Sequence, residues 1–131
     1  ELRTETRFEG NRTWNFAMRD EQKQAVDMTK TYFEQAKRDD PSRPPKFLWN
    51  AKMRFGKTFA TYELCKAMSF KKILVLTFKP AVESAWQEDI SRHVDFKGWQ
   101  FVSNKEAKFD AKKLDEQFDS CDKNNPIVVF G

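Results

Sequence analysis

The chain has 131 residues, which is enough for one compact domain and too few for a complete motor or a multidomain enzyme. Charged residues make up 34% of it and hydrophobic residues 39%, including 13 Phe and 4 Trp, so we expect a folded domain with an aromatic core and not a disordered chain. The formal net charge of +4 permits a polyanionic partner without demanding one.

The cysteine and histidine content argues against a fold that is stabilised by a metal ion or by disulfide bonds. Cys65 and Cys121 are far apart in the sequence, and His93 is the single histidine, so neither a zinc site nor a disulfide framework is expected. The longest apolar run, residues 73–76, is far shorter than the roughly 20 residues of a membrane helix. Without a leader, the chain is predicted to be cytoplasmic. It starts without methionine and stops directly after an apolar run, so we expect both ends to be cut from a longer protein.

The first predicted regular element is an amphipathic helix. Residues 1–16 are mixed and charged, and irregular or short extended structure is expected there. Apolar residues recur at three- and four-residue steps from Arg19 to about Arg38, with two acidic residues in the first turn. The proline-rich stretch 39–45 ends this helix, since proline cannot continue the hydrogen-bond ladder.

Strands and helices alternate through the rest of the chain. Residues 47–49 are predicted as a strand, residues 50–56 as a loop and residues 57–68 as a helix. The apolar run 72–78 is typical of a strand covered on both faces. Further elements are a helix at 80–93, a strand at 99–102, a helix at 111–118 and a fourth strand at 127–130. This alternation predicts an α/β fold with a mostly parallel sheet and right-handed crossovers.

The segment Ala51–Thr58 carries the most specific chemical signal in the chain. It fits the phosphate-binding loop pattern with alanine in place of the first glycine. In such a loop Gly56 would let the backbone approach a phosphate, Lys57 would reach the outer phosphates and Thr58 would hold Mg²⁺. The alternative is an ordinary strand-to-helix turn that ends in Gly-Lys-Thr by accident.

The loop with alanine first resembles motif I of superfamily 2 helicases and related translocases, including the restriction subunit of type III restriction enzymes. Residues 18–26, Met-Arg-Asp-Glu-Gln-Lys-Gln-Ala-Val, are similar to an upstream family segment in which glutamine reads adenine, which implies that role for Gln22. Residues 73–80, continuing to 84–86, resemble motif Ia, which touches a nucleic-acid backbone. Lys79 and Ser84 are the residues that this likeness implies as nucleic-acid contacts.

This resemblance implies a truncated three-layer P-loop NTPase (RecA-like) domain, a parallel sheet with helices on both faces. Residues 1–15 would be an N-terminal extension and residues 16–131 the partial domain. The implied cofactors are ATP and Mg²⁺, with Lys57 catalytic and Thr58 on the metal. The implied nucleotide-binding residues are Gln22, Met53, Arg54, Phe55, Gly56, Lys57 and Thr58. The implied partners are double-stranded DNA, a second RecA-like domain of the same parent chain and a methylase or modification subunit.

Two departures from the family pattern limit what the chain would do alone. Arg54 stands where the family often has glycine, and the acidic motif that follows a later strand is missing. The acidic pair in residues 115–117 follows no apolar strand and is interpreted as a solvated helix face. The resemblance therefore predicts the nucleotide-binding part of an ATP-dependent helicase or translocase of a restriction system, without turnover of its own.

Two other functions fit the same residues. One is a small P-loop kinase or other NTPase, which should carry its own acidic residue after an apolar strand. The other is a nucleic-acid interaction module with a degenerate loop, which the basic excess and the scattered aromatic residues favour.

Overall fold

The computed structural model describes residues 12–77, 82–103 and 111–131. Its contacts divide the chain into two compact units, one formed by Ala17–Ser69 and the other by Glu1–Phe16 together with Phe70–Gly131. The predicted division into a 1–15 extension and a 16–131 domain stays a prediction.

The unit Ala17–Ser69 consists of two helices joined by a long loop. Helix α1 spans Asp20–Asp39 and helix α2 spans Lys57–Ala67, which confirms both predicted helices to within one residue at each end. Val26 of α1 packs against Ala60 and Leu64 of α2, and these three residues are buried. The half-buried residues that complete this core are Met18, Phe33, Trp49, Phe55 and Met68.

The strand predicted at residues 47–49 is wrong, since these residues have no strand pairing in the structure. Their rings pack on α1 instead: the Phe47 ring lies edge-on to Tyr32 with centroids 5.6 Å apart, and Trp49 Nε1 donates to Thr29 Oγ1 at 2.7 Å. Leu48, between them, is 88% exposed. Phe47 and Trp49 contact α1 while Leu48 between them faces solvent, and this alternation is also the pattern of a short half-buried strand. The sequence alone therefore cannot distinguish the two structures.

The other unit is built around a small parallel sheet. Strands β1 (Lys72–Val75), β2 (Gln100–Ser103) and β3 (Ile127–Phe130) lie in the order β1-β3-β2, with every pair parallel. The connections carry helices α3 (Glu83–Arg92) and α4 (Ala111–Ser120), and a 3₁₀ turn at Val94–Phe96. The predicted α/β class with a parallel sheet is confirmed, with three described strands in place of the expected four.

The outer strand β1 is more exposed than the central strand β3. In β3, which is hydrogen-bonded on both sides, Ile127, Val128 and Phe130 are at most 3% exposed. In β1, Leu74 is 63% exposed, and Leu76 just beyond it is 74% exposed. The prediction that this apolar run is covered on both faces is therefore wrong for the described residues, because the face that carries Leu74 and Leu76 is exposed.

The N-terminal residues of this unit are fixed to the end of α3. Trp14 and His93 form an isolated parallel bridge, with Trp14 N donating to Arg92 O at 3.0 Å and Val94 N donating to Trp14 O at 2.9 Å. The Arg12 guanidinium donates to the carbonyls of Ile90 and His93. The helix end is thus capped by another part of the chain, which supplies donors for carbonyls that a helix cannot satisfy by itself.

Asp89, in the last turn of α3, makes the stability of this unit dependent on pH. Burial raises its pKa from the ordinary value to about 6, with a smaller opposing effect of His93 and a smaller reinforcing effect of Glu88. Because the folded state holds this proton more tightly than the unfolded chain, stability is highest near pH 4, falls as pH rises to about 6 and then levels off. Asp89→Asn should match the wild-type melting temperature near pH 4 and exceed it at pH 7.

Thermal melts between pH 4 and pH 8 check this expectation, with Asp115→Asn, an exposed carboxyl of α4, as the control. A difference between Asp89→Asn and wild type that does not change with pH would contradict the role assigned to the carboxyl group.

Candidate functional site

The phosphate-loop-like segment forms a tight turn that opens directly into α2. Phe55 N donates to Lys52 O at 3.2 Å, which closes a turn across residues 52–55. Arg54 and Gly56 both have left-handed backbone conformations, with φ of 67° and 81°. Gly56 is the N-cap of α2, and Ala60 N donates to its carbonyl at 3.1 Å as the first bond of the helix. The sequence correctly places a helix immediately after this glycine.

The turn is bound to α1 by two side chains, Gln22 of α1 and Arg19, which is the N-cap of that helix. Gln22 Nε2 donates to Phe55 O at 2.8 Å and to Gly56 O at 3.3 Å. Arg19 Nη2 donates to Arg54 O at 2.9 Å and to Phe55 O at 2.6 Å. The carbonyls of the turn are therefore bound to α1, and the conformation of the loop depends on these two side chains.

Gln22 uses both ends of its amide inside the protein. Its Oε1 accepts from Arg19 N at 2.8 Å, which is the N3-to-N-cap contact of a helix capping box, while its Nε2 binds the loop. The side chain is only 4% exposed. In this structure Gln22 therefore presents no amide atom to a ligand, and its implied role in reading adenine stays a prediction.

Arg19 is the residue of this site that the sequence analysis did not single out. Besides the loop carbonyls, it binds Glu21 Oε1 through Nε at 2.8 Å. A hydrogen bond at the Glu21 backbone, and then the Arg19 side chain, lower the pKa of Glu21. The glutamine three residues after a helix start was the available signal for a capping box, but no local pattern shows that a neighbouring arginine will bind a loop 35 residues away.

The loop and the residues that flank it are rich in exposed basic side chains. Five basic residues and no acidic residue occur between positions 41 and 62, and all five are exposed: Arg43, Lys46, Lys52, Arg54 and Lys57. Helix α2 begins inside this stretch, with no acidic residue in its first turn and no side chain capping it. Basic side chains and the positive end of a helix dipole together favour an anion at this surface.

An open groove of about 540 Å³ lies between α1 and the loop. Its lining includes Met28 of α1 and the loop residues Phe47, Leu48 and Met53, which are between 41% and 88% exposed. Arg19, Lys52 and Arg54 belong to the same lining. The loop therefore combines an apolar concave surface with several cations.

The structure brings most of the predicted site residues together. Met53, Arg54, Phe55, Gly56, Lys57 and Thr58 are consecutive in the turn and the first turn of α2, and Gln22 contacts them from behind. Ser84 is exposed in the first turn of α3, in the other compact unit. Lys79 lies outside the described residues. The assignments to ATP, to Mg²⁺ at Thr58 and to catalysis by Lys57 stay predictions.

Other chemistry-bearing groups form no second centre within the described parts of the chain. Burial raises the pKa of the Cys65 thiol to about 11, so it is protonated and unreactive near neutral pH. Across residues 12–77, 82–103 and 111–131, no three His, Cys, Asp or Glu side chains group as metal ligands would. In the same ranges, no helix combines the length and the apolarity needed to cross a bilayer.

A comparison with curated proteins finds one significant relative, in Mycoplasma pneumoniae (strain ATCC 29342 / M129). It is 36% identical to this chain over 115 residues, which cover 88% of the chain and 14% of the relative. Its provisional name describes the C-terminus of a type II restriction enzyme and methyltransferase. The chain therefore spans a small part of the length of this relative. No known protein family and no solved structure matches the chain.

This comparison corrects the function expected from the sequence motifs. The relative is named as a restriction enzyme and methyltransferase and not as an ATPase, so the predicted ATP-dependent helicase or translocase function is wrong, while the expected link to a restriction system is supported. The local structure also departs from the family pattern in two respects. The strand that should precede the loop is absent from residues 47–49, and Gln22 is engaged within the protein.

Proposed function

We propose that this chain is a DNA-contacting module of a restriction-modification protein, in which the phosphate-loop-like turn binds the DNA backbone and not a nucleotide cofactor. The observation that carries the proposal is the exposed turn at the start of α2, which carries Lys52, Arg54 and Lys57 within a stretch, residues 41–62, that contains no acidic residue. The relative's name supports the restriction-modification context. Nuclease and methyl-transfer chemistry would belong to other parts of the whole protein.

Backbone phosphates fit this surface for electrostatic reasons. Binding of a lysine or arginine to a DNA phosphate releases a condensed counterion, and this release supplies most of the sequence-independent affinity. Lys57 lies in the first turn of α2, where the helix dipole adds to its charge. Arg54, at the tip of the turn, offers a planar group that can bind two phosphate oxygens at once.

The rigid support of the turn favours binding with little loss of conformational entropy. Arg19 and Gln22 bind the carbonyls of residues 54, 55 and 56 from behind, so the backbone is ordered before any ligand arrives. The cationic side chains project from this ordered turn into solvent. Such preorganisation raises affinity by removing an ordering cost that a flexible loop would carry.

The proposal also includes the RecA-like P-loop fold that the sequence resemblance implies. The left-handed N-cap at Gly56 supports a phosphate-binding loop in one unit, and the parallel order β1-β3-β2 supports a RecA-like sheet in the other. In this interpretation the loop has the backbone conformation of a phosphate-binding loop, but the phosphates that it binds belong to the DNA backbone and not to a nucleotide.

The proposal predicts a loss of DNA affinity when the cations of the turn are neutralised. In the triple variant Lys52→Gln, Arg54→Gln, Lys57→Gln, the slope of log affinity against log salt should fall by about 3, since each backbone contact contributes about 0.9 to the slope. Fluorescence anisotropy with a labelled 20-base-pair duplex between 50 and 200 mM salt measures both the affinity and the slope.

The matched control replaces three exposed lysines outside the turn by glutamine, Lys37, Lys97 and Lys113. It therefore changes the net charge by the same amount as the triple variant of the turn. Equal losses in the two triple variants would show that net charge and not the turn attracts DNA, which would overturn the proposal. A second experiment, isothermal titration calorimetry with ATP and Mg²⁺, tests for nucleotide binding. The proposed module gives no heat of nucleotide binding, whereas a small P-loop NTPase binds nucleotide and loses that binding in Lys57→Ala.

A further inference from the structure

We infer that the groove between α1 and the loop accommodates an unstacked base of a DNA strand whose phosphates lie on the cationic turn. This inference rests on the proposed function, because it requires that DNA binds at the turn. It adds the chemical class of the ligand: a single-stranded or locally opened strand, with the base as the recognised part.

The groove exposes more apolar surface than a solvated loop needs. Leu48 and Met53 are each 88% exposed, Met28 is 57% exposed and Phe47 is 41% exposed, and all four line the same groove. Apolar side chains scattered singly over a surface are ordinary, but a contiguous concave patch marks a binding surface. With a volume of about 540 Å³, the groove lies within the range of small-ligand sites.

The charges at the groove favour an anionic occupant. Lys52 and Arg54 are exposed basic residues of the lining, and Arg19 is a third. The single carboxylate of the lining, Glu21, is bound by Arg19 Nε at 2.8 Å. A second copy of this chain would bring a like-charged loop to the same place, whereas a nucleotide brings an apolar ring and a negative phosphate.

The lining of the groove includes two aromatic side chains on which such a ring could stack. Phe47 and Trp49 belong to the lining, and their orientation is fixed, Phe47 by its edge-on contact with Tyr32 and Trp49 by its hydrogen bond to Thr29. A base stacked on an aromatic side chain gains affinity whatever its identity, because every base has a π face. Bases inside a duplex are stacked on each other, so only an unstacked base can enter.

The test compares two single strands that carry the same phosphates. One is a labelled dT20 strand, and the other is the same strand with stable abasic sites in place of its bases. Wild-type protein should bind dT20 at least about tenfold more tightly than the abasic strand, a ratio that corresponds to one stacked base. The double variant Leu48→Ser, Met53→Ser removes the exposed apolar contacts beside the aromatic rings, so it should reduce this preference and still bind the abasic strand as wild type does.

The variant is suited to this test because both side chains are almost fully exposed and lie outside the buried core. Its circular dichroism and melting temperature should equal those of wild type. Equal affinity of wild type for both strands would overturn the inference and leave the proposed function standing. Absence of binding to either strand and to duplex would refute both. A dimer that dissociates in the double variant, with unchanged strand preference, would assign the groove to a second copy and overturn the inference.

Discussion

Gly56→Ala should lower the free energy of unfolding by about 3 kcal/mol, which corresponds to a fall of about 10 °C in melting temperature for a chain of this size. The backbone of Gly56 has φ of 81°, a left-handed conformation that costs an L-residue about 1–2 kcal/mol. An added Cβ would also overlap Gln22 Nε2.

Gln22 cannot move away from that Cβ without cost. The side chain is 4% exposed and binds Arg19 N, Phe55 O and Gly56 O at once. Its displacement would leave the amide and its loop partners without their hydrogen bonds, a penalty of about 1–3 kcal/mol for a buried group. Gly56→Ala should therefore weaken DNA binding as well, because the displaced turn carries Arg54 and Lys57.

Gly98→Ala is the matched control for backbone strain alone. Its φ is 88°, but the nearest atom to an added Cβ is Asn125 Oδ1 at 3.6 Å, an ordinary contact. We expect a loss of about 1–2 kcal/mol there. In a Gln22→Ala background the extra cost of Gly56→Ala should disappear. Chemical denaturation of all four variants measures this coupling, and equal costs of Gly56→Ala in the two backgrounds would disprove the overlap with Gln22.

His93→Ala should lower the free energy of unfolding by about 4 kcal/mol, the sum of a buried cavity and lost hydrogen bonds. His93 is fully buried. Its Nδ1 accepts from Asp95 N at 3.0 Å, and its Nε2 donates to Phe16 O at 2.7 Å. The ring also lies edge-on to Phe16, with centroids 4.6 Å apart.

His93→Phe separates packing from hydrogen bonding. Phenylalanine fills the volume of the imidazole but offers neither donor nor acceptor, so we expect a loss of about 2 kcal/mol, mostly from the two lost polar contacts. Val94→Ala serves as the control, because this neighbouring side chain is 44% exposed. Urea denaturation followed by circular dichroism gives the three values. A His93→Ala variant no less stable than Val94→Ala would contradict a structural role for the imidazole.

Much of the secondary structure could be predicted from local pattern. The spacing of apolar residues located α1, and Gly56 with the polar turn before it located the start of α2, because helix periodicity and termini depend on neighbouring residues. The fourth predicted strand, residues 127–130, agrees with β3 at both ends. Its continuous apolar sequence fits its place at the centre of the sheet, where both faces are buried.

The candidate site could be located from the sequence, but its function could not. The residues 53–58 do form a preorganised turn at a helix start, as the motif predicts. The pattern does not show whether such a turn serves a nucleotide or DNA, because both ligands offer phosphate oxygens to the same donors.

By itself the sequence determined the alternation of helices and strands, the position of the loop and its excess of cations, since each of these is set by residues close together in the chain. Tertiary structure alone decided that residues 47–49 pack on α1, that Gln22 and Arg19 bind the loop and that an apolar groove lies beside it. These features depend on contacts between residues 15 to 36 positions apart, and a side chain's partner at that distance is selected by packing and not by local preference.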